Sequence, residues 1–173
     1  LNDILDKKFT SAKNPHMLLI LDTLQDPGNL GTLLRAGEGA NITGIIMNKN
    51  TADIYNPKVI RSTMGSILRV PFVYVEDLKE VIKKLKDKKI NIYASSLEAS
   101  NNYELNDYNN DVAFIIGNEA AGISTELLEI VKNRVKIPMY GQVESLNAAV
   151  AGSILMYEAA RQRRLHEAAR DNI

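Results

Sequence analysis

The chain has 173 residues, 45% of them hydrophobic and 24% charged, and its 21 basic and 21 acidic side chains give a formal net charge of zero. This composition is that of a globular domain and excludes disordered, collagen-like and coiled-coil chains. Cysteine is absent, which excludes disulfides, thiolate metal sites and cysteine nucleophiles and agrees with a reducing cytosol. No apolar run reaches the roughly 18 residues of a membrane span, and the N-terminus lacks the order of a signal peptide. We therefore expect a soluble, cytoplasmic protein.

Short apolar runs alternate with longer amphipathic stretches, which predicts an α/β fold with a mostly parallel sheet and helices on both faces. Continuous runs such as MLLIL and VAFII are typical of strands covered on both sides. The predicted strands are residues 16–21, 43–47, 69–73, 90–94, 112–116 and 135–137. The predicted helices are residues 30–40, 57–66, 77–86, 125–133 and 146–165. The polar residues 97–110 are predicted to form a long loop, a kind of segment that often carries function.

The last predicted helix has two different surfaces. Leu146, Val150, Ile154 and Tyr157 recur at helical spacing and form one apolar face. Small residues between them permit close approach by a neighbour, which is either the sheet or a second subunit. The helix ends in the basic run RQRR, and a second basic run, KKLKDKK, lies near residue 86. Each basic run is either a solvated helix face or a phosphate contact.

A first candidate motif, LDTLQDPGNLGTLLRAGEGA, follows a strand and leads into a helix. Its glycines, Gly28 and Gly31, predict a tight turn that resembles a phosphate-binding turn. Their spacing matches neither the dinucleotide GxGxxG pattern nor the P-loop. Arg35, one turn further on, is predicted to lean back over the glycines, at the edge where open α/β sheets bind ligands. The alternative is a structural ion pair of Arg35 with Glu38 or Glu119.

Two further motifs follow strands in the second half of the chain. In FIIGNEAAGIS, Gly117 predicts a close approach to the backbone, and Glu119 is either a cap or salt-bridge partner or a group aimed into the crevice. In VKIPMYGQVESLNAAVAG, Ser145 stands where a helix N-cap is expected. Asn147 is unfavourable just inside a helix, which indicates that its amide is needed by another group.

Several classes of enzyme are excluded by missing residues. Serine-hydrolase chemistry lacks its GxSxG turn. The two histidines, His16 and His166, lie at a strand entrance and in the terminal helix, so they predict neither a general base nor a metal site. An NAD enzyme is disfavoured by the missing glycine pattern and by the absence of an acidic residue after the second strand.

Taken in order, NLGTLLRAG, IIGNEAAGIS and VKIPMYGQVESLNAAVA resemble the SpoU/TrmH family of RNA 2′-O-ribose methyltransferases, within the SPOUT superfamily. The resemblance covers residues 17 to about 163. It implies transfer of a methyl group from S-adenosylmethionine to a ribose 2′-hydroxyl of rRNA or tRNA by a homodimer, with no membrane and no metal. It also implies a trefoil knot in the C-terminal part, which topology rules alone do not predict. The alternative is a cofactor- or RNA-binding module of the same fold without catalytic activity.

The resemblance assigns functional residues to all three motifs. Those assigned to catalysis are Arg35, Ser145, Asn147, Asn29 and Glu119. Those assigned to the cofactor pocket are Ser95, Ser96, Gly117, Asn118, Gly122, Ile137, Met139, Ser145 and Leu146, with much of the recognition by backbone.

The residues before the first strand form part of the domain prediction. Residues 1–15 are expected to be a linker or the remnant of a preceding segment, and residues 16–173 the catalytic domain. Many family members carry an N-terminal RNA-binding domain, and a chain that begins with Leu1 is expected to derive from a longer parent protein.

Overall fold

The computed structural model describes residues 1–6 and 14–171. Within them the chain forms six α-helices and seven strands. The strands are β1 (Met17–Leu21), β2 (Gly44–Asn48), β3 (Phe72–Val75), β4 (Asn91–Ser95), β5 (Asn101–Asn102), β6 (Val112–Ile116) and β7 (Asn133–Lys136). The helices are α1 (Asn2–Leu5), α2 (Pro27–Gly39), α3 (Pro57–Thr63), α4 (Leu78–Asp87), α5 (Thr125–Ile130) and α6 (Ala148–Asp171).

All strands belong to one parallel sheet, in the order β3-β2-β1-β6-β4-β7-β5. The central pair aligns Leu19 of β1 with Phe114 of β6. Every residue of these two strands is buried, as the continuous apolar runs predict. The predicted α/β fold is confirmed. The trefoil knot stays a prediction.

Helices cover both faces of the sheet. On one face α2, α3 and α6 pack against side chains such as Leu19 and Phe114. On the other face α1, α4 and α5 pack against Leu18 and Ile115. Successive strand residues alternate between the two clusters because side chains in a strand point to opposite faces.

The N-terminal segment contributes to one of these layers. Ile4 and Leu5 of α1 are each 4% exposed and belong to the cluster formed by α4 and α5. Residues 7–13 of the predicted linker lie outside the described residues. Among the described helices, none combines the length and the hydropathy that a bilayer crossing requires.

Several predicted element boundaries are wrong. The predicted strand at residues 69–73 begins only at Phe72, because Gly65 turns with a φ of 90° and residues 66–68 form a 3-10 turn. The predicted helix at residues 125–133 ends at Ile130, since Asn133 already belongs to β7. The short strand β5, within the predicted loop at residues 97–110, is missed by the sequence analysis.

The glycines of the first motif lie inside a helix rather than in the predicted turn. Asp26 caps α2 by accepting a hydrogen bond from the Asn29 backbone N–H at 2.8 Å, so the helix starts at Pro27. A Cβ at Gly31 would lie 1.7 Å from Ser62 Oγ of α3. Gly31 therefore permits the close packing of α2 on α3.

The packed face of α6 differs from the predicted one. Its buried residues include Ala149, Leu155, Met156 and Ala159, whereas Tyr157 of the predicted apolar face is 48% exposed. The small residues do allow a close neighbour, which is α2 of the same chain: a Cβ at Gly152 would lie 2.6 Å from Leu33. The apolar residues of α6 that are not buried, among them Tyr157, lie on the outer face of the helix.

Arg163 of the basic run in α6 ties the helix to the amino edge of the sheet. Its guanidinium donates hydrogen bonds of 2.7–3.1 Å to the backbone carbonyls of Pro15, His16, Tyr108 and Asn110. Burial lowers the pKa of Arg163, although Asp111 and Glu167 oppose this. Since Arg161 pairs with Glu158, at least two of the arginines in RQRR have structural partners.

We expect Arg163→Ala to lower the free energy of unfolding by about 3 kcal/mol, because it leaves the partly buried carbonyls of Pro15 and Tyr108 without a donor among the described residues. Urea denaturation measures the change. Arg161→Ala is the matched control: the Arg161 side chain is 52% exposed, so losing its pair with Glu158 should lower stability far less than Arg163→Ala does. Equal losses in the two variants would contradict the structural role of Arg163.

Candidate active site

A cavity of about 370 Å³ opens at the carboxyl edge of the sheet, beyond the ends of β4, β6 and β7. All nine residues that the resemblance assigns to the cofactor pocket line it: Ser95, Ser96, Gly117, Asn118, Gly122, Ile137, Met139, Ser145 and Leu146. Glu119 and Asn147 line it as well. Two segments contribute most of this wall, namely residues 116–122 after β6 and residues 136–148 after β7.

Three hydrogen-bonded side chains join the three motifs beside this cavity. Asn29 Nδ2 donates to Glu119 Oε1 at 3.0 Å, and Asn147 Nδ2 donates to Asn29 Oδ1 at 2.8 Å. We call this arrangement the Glu119–Asn29–Asn147 bridge. It fixes the orientation of both amides, because each oxygen faces a donor and each nitrogen faces an acceptor. Residues separated by 118 positions in the sequence are thereby held together.

Asn147, and not Ser145, caps the last helix. Its Oδ1 accepts hydrogen bonds from the backbone N–H groups of Ala149 and Val150 at 2.9 and 3.2 Å, so α6 starts at Ala148. The predicted cap at Ser145 is therefore wrong, because that residue lies before the helix. The sequence analysis expected another group to need the Asn147 amide. That group is Asn29, which accepts a hydrogen bond from it.

Glu119 holds the start of α2. Its carboxylate accepts the backbone N–H groups of Gln25 and Asp26 at 3.1 and 2.9 Å in addition to the Asn29 amide. Desolvation raises the pKa of Glu119, but the hydrogen bonds from Asn29, Asp26 and Gln25 outweigh it, so the pKa lies below its ordinary value of 4.5. Of the two alternatives for Glu119, the geometry shows a capping group that also faces the cavity.

We expect Glu119→Gln to lower the free energy of unfolding by about 1 kcal/mol at neutral pH, because an amide nitrogen then faces backbone donors. The lowered pKa means that the carboxylate stabilises the folded chain above about pH 4.5 and loses this contribution as the pH falls through the folded-state value. The difference between variant and wild type should therefore shrink in acid. Urea denaturation at neutral pH and at a series of pH values below 4.5 measures it.

Glu126→Gln is the matched control for Glu119→Gln. Among the described residues, Glu126 forms an ion pair only with Lys79 on the surface, at 3.5 Å, and its side chain is 73% exposed. This substitution should change stability by less than about 0.5 kcal/mol at either pH. A Glu119→Gln variant with the same pH profile as wild type would contradict the role given to the carboxylate.

The turn after β6 explains Gly117. Asn118 and Gly122 exchange two backbone hydrogen bonds of 2.9 Å, and Asn118 Oδ1 accepts the N–H groups of Ala120 and Ala121. The turn folds back over Gly117, where an added Cβ would lie 2.1 Å from the carbonyl carbon of Gly122. The predicted close approach at Gly117 is therefore made by the chain's own backbone.

Arg35 lies outside the cavity of its own chain. It is exposed, and it makes no hydrogen bond or ion pair with any described residue. The alternative of an ion pair fails, because Glu38 binds Arg69 and Ser66 while Glu119 binds the start of α2. Six helical positions separate Arg35 from Asn29, which is about 9 Å along the axis and about 120° around it. The two side chains thus leave α2 on different sides.

Some residues of the cavity escaped the sequence analysis. They are Leu97, Ile116, Ala120, Lys136, Ala148 and Ala151. Each lies within four positions of a residue that the sequence analysis assigned to the site, so including the neighbours of the assigned residues would have found them. Within residues 1–6 and 14–171, no three His, Asp or Glu side chains group closely enough to hold a metal ion.

Comparison with known proteins points to the same family that the three sequence motifs resemble. Residues 16–157 match the model of the SpoU rRNA Methylase family. The chain is 36% identical over 152 residues to the 23S rRNA (guanosine(2553)-2'-O)-methyltransferase RlmP of Bacillus subtilis strain 168, covering 88% of this chain and 60% of that protein. The chain spans about three fifths of the length of this relative.

Solved structures of methyltransferases have the same fold as this chain. The SpoU methyltransferase AviRb from Streptomyces viridochromogenes, in complex with AdoMet, superposes with a TM-score of 0.83 at 30% identity, covering 91% of this chain and 61% of that one. An AdoMet-bound rRNA methyltransferase from Sinorhizobium meliloti gives a TM-score of 0.81 at 31% identity, covering 90% of this chain and 59% of that one. With the family model matching most of its length, the chain belongs to the SpoU rRNA methylase family.

Proposed function

We propose that this chain is the catalytic domain of an S-adenosylmethionine-dependent RNA methyltransferase that acts on a ribose 2′-hydroxyl of rRNA or tRNA. The observation that carries the proposal is the cavity at the carboxyl edge, around which the hydrogen-bonded bridge assembles the three motifs. The relatives named as rRNA or SpoU methyltransferases, two of them solved with AdoMet, support it.

The residues of the cavity fit S-adenosylmethionine. A volume of about 370 Å³ lies in the range of small-molecule sites. The hydroxyls of Ser95, Ser96 and Ser145 form no hydrogen bond with a described residue, so they are available to a ligand. The backbone of Gly117 and Ile137 would contribute amides and carbonyls. When bound, the cofactor supplies a methyl group activated by a positively charged sulfur.

Arg35 is the proposed catalytic residue, with Ser145 and Asn147 orienting the substrate. A free arginine side chain stays protonated, so it does not act as a simple base. It binds an RNA phosphate and stabilises the negative charge that develops on the 2′-oxygen, and the phosphate is the candidate acceptor for the proton. Because Arg35 lies outside the cavity of its own chain, this role requires the RNA or a second copy to bring the two together.

A homodimer is part of the proposal, and the outer face of α6 supports it. Val150 and Tyr157 on this face are 45% and 48% exposed, and the neighbouring loop leaves Tyr140 and Val143 exposed at 94% and 62%. Large apolar side chains exposed in neighbouring segments of a chain often mark interaction surfaces. We also propose that the enzyme is cytoplasmic, because the bacterial relatives that it matches are named as rRNA methyltransferases.

Two measurements test the proposed function. Calorimetric titration should show binding of S-adenosylmethionine and none of NAD, and tritiated methyl groups should be transferred to total RNA and recovered in dinucleotides that resist alkaline hydrolysis, as 2′-O-methylation requires. Cofactor binding without transfer by the homodimer would instead support a binding module without catalytic activity. Absence of cofactor binding would overturn both.

A further inference from the structure

Asp22, directly after β1, is a buried carboxylate without a cation. It is 5% exposed and forms no salt bridge with a described residue. A carboxylate in such a position is costly unless hydrogen bonds satisfy it. Oδ1 accepts from Asn48 Nδ2 at 3.1 Å and from Thr23 Oγ1 at 3.3 Å, and Oδ2 accepts the backbone N–H of Ser124 at 2.8 Å. Asp22 does not line the cavity.

The contacts of Asp22 and its neighbour reach both ends of residues 117–124, which we call the 117–124 loop. The backbone N–H of Asp22 donates to the carbonyl of Ile116 at 2.9 Å, just before the loop, and the Asp22 carboxylate holds Ser124 at its end. Between them, the carbonyl of Thr23 accepts a hydrogen bond from Asn118 Nδ2 at 2.9 Å. The loop supplies five lining residues of the cavity, among them Gly117 and Glu119.

Two further polar side chains, Asn48 and Thr51, hold Asp22 and Thr23 in place. Thr23 has a φ of 61°, which is unfavourable for a β-branched residue and persists only where neighbours enforce it. Asn48 enforces it by accepting the Thr23 N–H at 3.0 Å and donating to its hydroxyl at 2.8 Å. Thr51 holds Asn48 by donating to its Oδ1 at 2.9 Å. These hydrogen bonds thus connect the end of β2, through Asp22 and Thr23, to the loop that lines the cavity.

We propose that Asp22 is a positioning residue for the cofactor site: supported by Asn48, it holds the 117–124 loop in the shape that S-adenosylmethionine binds. This inference rests on the proposed function for the identity of the ligand. It assigns a role to a side chain that touches neither the cavity nor the three motif residues of the bridge.

The test compares Asp22→Asn with Thr43→Val by calorimetry with S-adenosylmethionine and by hydrogen–deuterium exchange. The asparagine side chain is nearly the same size as that of aspartate. Its amide nitrogen, however, takes the place of an acceptor oxygen and turns an N–H toward a hydrogen-bond donor. Thr43, also 5% exposed, lies beside β1 at its other end and accepts the Met17 N–H at 3.0 Å. Thr43→Val therefore removes a buried acceptor far from the loop. Asp22→Asn should raise the Kd about tenfold and speed exchange in the 117–124 loop, while Thr43→Val should change neither.

Asn48→Ala is the second variant, because Asn48 is only partly buried and its loss is more readily tolerated by the fold. It should weaken cofactor binding in the same direction and loosen the same loop. Unchanged loop exchange in both Asp22→Asn and Asn48→Ala overturns the inference, and so does a Kd equal to that of Thr43→Val. If the unsubstituted protein binds no S-adenosylmethionine, the proposed function fails, whereas the exchange result still decides whether Asp22 holds the loop.

Discussion

Replacing Gly117 by alanine is expected to raise the Kd for S-adenosylmethionine by at least about 100-fold. The new Cβ would lie 2.1 Å from the carbonyl carbon of Gly122 and 2.2 Å from the nitrogen of Ile123, distances that atoms without a bond do not adopt. Both are backbone atoms, so a rotamer change cannot relieve the clash. The 117–124 loop must open, and it carries one wall of the cavity away from β7. Calorimetric titration measures the loss.

Gly141→Ala is the matched control, because it adds the same methyl group to a loop glycine whose Cβ would meet no atom within 4 Å. This variant should bind the cofactor within about twofold of wild type. Circular dichroism establishes that both variants are folded before they are compared. A folded Gly117→Ala protein with the wild-type Kd would show that the loop geometry does not matter for the ligand.

Arg35→Ala is expected to lower the rate of RNA methylation by about 100-fold or more, the usual cost of losing one preorganised group that stabilises an oxyanion. Its Kd for S-adenosylmethionine should stay within about twofold, since Arg35 does not line the cavity. Stability should also be unchanged, because the exposed guanidinium has no partner among the described residues. Initial rates of tritium transfer at saturating cofactor measure the effect.

Arg164→Ala controls for a general loss of positive charge. This residue is also exposed, but it lies near the C-terminal end of α6, by the amino edge of the sheet. Its removal should reduce methylation less than about threefold. Arg35→Lys should recover only part of the activity, because an ammonium lacks the planar fork that binds a phosphate in two places. Full activity of a folded Arg35→Ala protein would remove Arg35 from the mechanism.

The sheet was predictable from the sequence where strands are apolar throughout. The runs at residues 17–21 and 112–116 are buried on both faces, so composition alone marks them. Prediction failed where a backbone turn or a cap decided the boundary. Residues 69–71 lie among β-forming residues, yet Gly65 and the following 3-10 turn delay the strand to Phe72. The two-residue strand β5 has too little pattern to be detected.

The site was predictable as a set of residues but not as a set of contacts. The sequence analysis named every polar residue that lines the cavity except Lys136, because parallel strands bring their carboxyl ends to one edge. The partners of Asn147 and Asp22 could not be found in this way. Their bonds join positions 118 and 102 residues apart, and no local spacing encodes such a pairing. The cap was predicted at Ser145 because the helix was predicted to begin at residue 146. Serine and asparagine suit an N-cap equally well, so residue type alone did not reveal that the helix starts two residues later.

The strand order also constrains how the chain assembles during synthesis. β4 is flanked by β6 and β7, both of which emerge from the ribosome after it, so a nascent chain that ends near residue 110 gives β4 no strand to pair with. β1, β2 and β3 are adjacent and can associate early. We expect pairing in this half to precede the other, since contacts between distant segments form slowly. The cofactor can therefore bind only after the last helix has been translated.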